Sequence, residues 1–84
     1  MTMKTKTINN TILDALDYVR EQLGIDKLTV VRAQRKVHWS LRLPIITDYD
    51  DEIHDLLEEW GEEHGLSEEW WSAYVDFDDI LEMI

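Results

Sequence analysis

The chain has 84 residues, a formal net charge of −11 and a hydrophobic fraction of 44%, with four tryptophans among its aromatics. A chain of this size makes one domain that buries only about 60% of its unfolded surface, and its apolar content is too high for a disordered polymer despite the charge. With no cysteine there is neither a disulfide framework nor a thiolate metal site, and no apolar run has the length of a membrane span or a secretory leader, so a cytoplasmic protein with no membrane association is expected.

Residues 1–84 read as a single small acidic domain, with 1–9 as a flexible N-terminus. Ile8, Ile12, Leu13, Leu16, Val19 and Leu23 recur at three- and four-residue steps, which predicts a helix over 10–23. Thr11 with Asp14 resembles a capping box. Gly24 supplies a left-handed stop, with Ile25 packing back on the helix.

The next stretch changes period. Val37, Trp39, Leu41 and Leu43 alternate with Lys36, His38, Ser40 and Arg42, the pattern of a half-buried strand. The β-branched run LTVV (28–31) could pair with it through a turn at Ala33–Lys36, although that turn lacks Gly, Asn or Asp. Pro44 marks the strand's end or a sheet edge.

Ile53, Leu56, Leu57 and Trp60 then form one face of an acidic helix, capped by Thr47 or Asp48 and stopped by Gly65. Ser67 is expected to cap a last helix in which Trp70, Tyr74, Phe77, Leu81 and Ile84 share a face, unless Asp76 breaks it and restarts a turn. The order is α-β-β-α-α. The expected fold class is α+β: an N-terminal helix, a two-stranded antiparallel hairpin and two acidic C-terminal helices.

Charge is divided unevenly along this order. Residues 1–42 hold all eight lysines and arginines and four acids; residues 43–84 hold fifteen acids and no base. On the third element Asp51, Asp55, Glu58 and Glu62 fall opposite the apolar face, and Glu52, Glu59 and Glu63 form a flanking row. Residues 50–63 carry eight carboxylates over about 21 Å of helix. That is roughly one charge per 2.6 Å, between the ~3.4 Å of one DNA strand and the ~1.7 Å of a duplex.

Like charges four residues apart cost a helix a few tenths of a kcal/mol per pair. Asp51–Asp55, Asp55–Glu59, Glu58–Glu62 and Glu59–Glu63 all have this spacing, and no lysine relieves them locally. A surface serving solubility alone more usually mixes signs. The pattern therefore points to a basic protein partner, most sharply the nucleic-acid site of a DNA- or RNA-processing enzyme or complex. Glu68, Glu69, Asp76, Asp78 and Asp79 would extend the face. In size, acidity and lack of cysteine the chain resembles small phage-encoded inhibitors of host defence nucleases, the anti-CRISPR and antirestriction proteins, a resemblance of class and charge without a shared motif. It implies a non-enzymatic inhibitor that excludes nucleic acid without binding it.

A second resemblance lies in residues 19–36, within YVREQLGIDKLTVVRAQRK (18–36), which is similar to the helix-turn-helix of DNA-binding regulators. Gly24 would sit in the turn, Lys27, Arg32, Arg35 and Lys36 on the recognition helix, and VHWSLRL would form a wing. Arg20 stands where that motif wants a small residue, and the acidic half would repel a duplex. A third possibility is a small accessory subunit or homodimer built on an exposed tryptophan.

Other chemistry finds less support. Asp48, Asp50, Glu52 and Glu59 imitate calcium-loop positions, but Ile53 replaces the glycine that makes the turn. His54 and Glu58 could share a metal, with no third ligand supplied by spacing. No metal or other cofactor is expected. No phosphate loop or nucleophile motif is present, so no catalytic residue is assigned. Trp39 and Trp60 fit the core, as does one of Trp70 and Trp71, since adjacent helical residues point about 100° apart. The other, with Tyr74, would be an aromatic anchor at an interface.

Overall fold

The protein is described here by a computed structural model, covering the backbone from Thr2 to Ile84 and side chains from Asn10 onward. Its elements are α1 (Thr2–Leu23), α2 (Ile25–Ser40), α3 (Asp50–Glu63), a 3₁₀ turn (Trp70–Ala73) and α4 (Phe77–Met83). Among the described residues there is no strand, so the fold is all-helical and the expected α+β class with its hairpin is corrected.

The error lies in residues 28–43. They form most of α2 and the turn after it. An isolated two-stranded hairpin is marginal in water, and this one lacked a turn residue at its centre. Ala33, Gln34, Arg35 and Lys36 are instead good helix formers, and the penalty for LTVV is only a few tenths of a kcal/mol per residue. Thr29 fits the helix by donating its hydroxyl to the Ile25 carbonyl at 2.8 Å. Leu28, Val31, Arg32 and Arg35 lie at i, i+3, i+4 and i+7, a helical stripe in the same residues. The alternation at 37–43 reflects no sheet: Val37, Trp39, Leu41 and Leu43 are all at least half exposed.

Gly24 is the single residue between α1 and α2, at φ 90°. A side chain is strained at that angle, so the stop was legible. Ile25 does not pack back; it is exposed. Helix α1 extends ahead of the expected start, so Thr11 is an interior residue. Its Ile12, Ala15, Leu16, Val19 and Leu23 are buried, and α1 packs most extensively against α3.

The opening of α3 uses Thr47 and Asp50 together. Asp50 accepts from the Thr47 backbone N–H at 3.0 Å and from its hydroxyl, and the Thr47 hydroxyl oxygen accepts from the Tyr49 N–H. At the far end the Leu66 N–H reaches the Gly61 carbonyl and the Gly65 N–H the Glu62 carbonyl, with Gly65 at φ 71°. This is a Schellman stop, as expected of Gly65.

The expected last helix is two pieces. Ser67 starts no helix; the 3₁₀ turn begins at Trp70, and the chain restarts at Asp76, whose side chain forms a reciprocal capping box with Asp79. Both Trp70 and Trp71 enter the core, 6% and 2% exposed, Trp70 against Trp60 and Trp71 against His54 and Phe77. Conversely Trp39, placed in the core from its alternation, is 69% exposed.

The basic half of the chain is tied to the end of α4. Arg20 donates to the Met83 carbonyl, Arg32 to Ile84, and Arg35 to Leu81 and Glu82. These carbonyls are the negative end of a seven-residue helix too short to persist alone. Arg35→Ala is expected to cost about 1–2 kcal/mol in urea unfolding, with loss of amide-exchange protection concentrated in α4. Uniform loss across all helices would contradict this capping role.

Candidate functional site

The candidate site is the outer surface of α3. Ile53, Leu57, Trp60 and Gly61 are buried and set the helix's rotation. The residues opposite them, Asp51, Asp55 and Glu62, are exposed, while Glu58 is half-buried. Glu59 and Glu63 are exposed on the flank toward α1, where the Tyr18 hydroxyl donates to Glu59 Oε1 at 2.8 Å. That bond to Glu59, then desolvation and the nearby charges of Glu59 and Glu63, raise the Tyr18 phenol above its ordinary pKa.

Not all eight carboxylates of α3 face outward. Asp50 is spent on the N-terminal turn, and Glu52 pairs with Lys27 of α2 at 2.9 Å. Lys27 also lies over the Tyr49 ring, 5.4 Å from its centre. Six remain on the outer and flanking faces: Asp51, Asp55, Glu58, Glu59, Glu62 and Glu63. From Asp51 to Glu63 they span about 18 Å of helix, roughly one charge per 3 Å, between the ~1.7 Å of a duplex and the ~3.4 Å of a single strand. Among the described residues Lys27 is the one lysine or arginine within ion-pair distance of α3.

The other flank centres on His54. Its Nδ1 lies 2.8 Å from Glu58 Oε1 and its Nε2 3.7 Å from Glu69. The imidazole meets Trp71 edge-on at 5.0 Å and Phe77 at 5.9 Å. These contacts bring Glu69 to the His54 side of α3; Asp76, Asp78 and Asp79 are exposed around Phe77 at the start of α4, and Glu68 is exposed in the preceding turn. Asp76 and Asp79 are also engaged with each other's backbone in the α4 cap. Asp55 supplies the third group that spacing could not: its carboxylate, His54 and Glu58 have ligand atoms within 4.8 Å of one another. His54 already bonds Glu58 there, and exposed acids gather this way without an ion.

Of the aromatic anchors, Trp70 and Trp71 are buried and only Tyr74 is exposed, at 47%. Trp70 donates its indole N–H to the Leu57 carbonyl at 2.9 Å. His64 stacks on Trp60 at 3.9 Å and bonds the Trp60 carbonyl at 2.7 Å, closing the C-terminal turn of α3. The cations of the helix-turn-helix resemblance are largely turned inward: Lys27 to Glu52, Arg32 and Arg35 to α4. Its wing is helix and turn, not a hairpin. Sequence reasoning missed this use of Arg20, Arg32 and Arg35, although the i, i+3, i+4, i+7 stripe through Leu28 carried the signal.

No family model, curated protein or solved structure matches the chain. Among the described residues no helix is long and apolar enough to cross a membrane.

Proposed function

We propose that the chain is a non-enzymatic binding protein that docks the α3 carboxylate face on a basic, nucleic-acid-binding surface of another protein. The observation that supports this most is the set of six carboxylates on the outer and flanking faces of a helix whose rotation is held by buried Ile53, Leu57 and Trp60. A held array loses little conformational freedom on binding, whereas the same charges on a loop would have to be ordered first. Arriving in a positively charged channel, it is steered by long-range attraction and excludes phosphates by occupying their place.

The test is affinity against ionic strength for a partner captured from cells at low salt, together with displacement of labelled DNA or RNA from that partner. Glu58→Lys and Glu62→Lys are each expected to weaken binding about tenfold at low salt, with a shallower salt dependence than the parent. Equal affinity in parent and both variants, at low and high salt alike, would remove electrostatic docking from consideration. The regulator alternative predicts the reverse: the free chain itself would shift duplex DNA.

A further inference from the structure

Trp39 occupies the end of α2 that the fold leaves uncovered. It lies on the same side of the helix as buried Leu28 and Val31, eleven and eight residues earlier, and one turn beyond Arg35. Arg35 already meets the last carbonyls of α4. The core-facing stripe thus overruns the element that covers it, and the indole stands 69% exposed.

It stands between two hollows. One, of about 230 Å³, is lined by Arg35, Lys36, Trp39 and Glu82; the other, of about 380 Å³, by Trp39, Ser40, Arg42 and Leu43. Arg42 sits at φ 57° and the Leu43 N–H bonds the His38 carbonyl at 2.9 Å, which turns Leu43 back beside the helix end. Leu41 and Leu43 are 62% and 50% exposed.

We propose that this surface is a self-association site, with the Trp39 of each of two copies seated in the other's Arg35–Lys36–Glu82 hollow. The first hollow's chemistry selects an aromatic face: a guanidinium whose edge is bonded to carbonyls still offers its plane to stack on, and an ammonium beside it favours the ring's negative face. The same surface carries the exposed indole, so knob and hole are adjacent, as a two-fold interface requires. Its rim is self-complementary in charge, since Lys36 and Arg42 can meet Glu82 of the other copy. Residues 27–47 contain no Asp or Glu, so on this surface Glu82 of α4 is the carboxylate that lines the hollow, beside Arg35 and Lys36.

Sedimentation equilibrium of the full chain from micromolar to millimolar concentration tests this. The parent is expected to rise from monomer to dimer mass, more readily as salt screens the −11 charges. That salt dependence is opposite in sign to docking through α3, so failure of either proposal is distinguishable. Trp39→Ala, which removes an exposed side chain, is expected to weaken association about thirtyfold, as loss of a central aromatic anchor does. Lys36→Glu should weaken it too, and Lys36→Glu with Glu82→Lys restore it. Glu62→Lys serves as a control at a separate surface and should still dimerise. A parent that stays monomeric throughout, or a Trp39→Ala variant that dimerises equally, overturns the proposal; capture of Trp39 by an unrelated protein with the parent still monomeric overturns it as well.

Discussion

Trp71→Ala is expected to destabilise the protein by about 3–5 kcal/mol, the range for emptying a buried aromatic site. Trp71 is 2% exposed and touches His54 edge-on, Trp70 at 6.0 Å and Phe77 at 6.4 Å. It joins three segments, α3, the 3₁₀ turn and α4, within the same buried cluster as Ile53, Leu57, Trp70 and Ile80. A small domain holds only about 5–15 kcal/mol in total, so the variant should lose roughly 20 °C in melting temperature or fail to fold at 37 °C. Trp71→Phe should recover much of the loss. Thermal unfolding followed by far-UV circular dichroism measures both, and a melting temperature within about 3 °C of the parent for Trp71→Ala would mean that this indole is not in the core.

Gly61→Ala is the second large effect, and its sign opposes helix propensity. In an exposed helix interior the change should stabilise by about 1 kcal/mol. Here a Cβ at Gly61 would lie 2.6 Å from Trp70 Nε1 and closer still to the ring carbon Cδ1. The indole cannot easily retreat, because it is buried and its N–H is bonded to the Leu57 carbonyl one turn away. Overpacking typically costs 1–3 kcal/mol, and with the nearest atoms on a pinned ring the upper part of that range applies. The net expectation is a loss of about 1–2 kcal/mol in urea unfolding, with a displaced Trp70 indole N–H resonance. Stability equal to or above the parent would show that Trp70 does not lie across this helix. A surface helix change such as Glu62→Ala should be close to neutral by comparison.

These two sites show what local pattern could and could not convey. The rotation of α3 was legible because Ile53, Leu57 and Trp60 repeat at helical spacing, and no other face of that helix is apolar. The stops at Gly24 and Gly65 were legible because a positive φ excludes most side chains. The outward carboxylates of α3 followed from the same wheel. Their number did not: Asp50 and Glu52 were removed by partners at Thr47 and Lys27, the second of which is 25 residues away in the chain.

The hairpin was misread because alternation at 37–43 is a statement about residue types, and burial was inferred from it. An exposed helix end followed by a turn can show the same alternation with nothing buried beneath it. Trp39 is on the surface because α2 runs past the element that covers it. Both Trp70 and Trp71 are in the core because neighbours cover two sides of the 3₁₀ turn: Trp60 and Gly61 meet Trp70, while His54 and Phe77 meet Trp71.

By itself the sequence determined the charge division, the absence of cysteine chemistry, the α1 and α3 apolar stripes and the glycine stops. All of these depend on residues within a turn or two of one another. Only the tertiary structure decided that the basic half serves partly as an internal cap, with Arg20, Arg32 and Arg35 meeting the carbonyls at the end of α4 across 46 to 63 residues of chain. The last turn of α4 offers carbonyls with no intrahelical donor, and the fold brings these three guanidiniums to them. That choice leaves α3, among the described residues, with Lys27 paired to one of its eight carboxylates, and leaves Trp39 beyond the reach of the core.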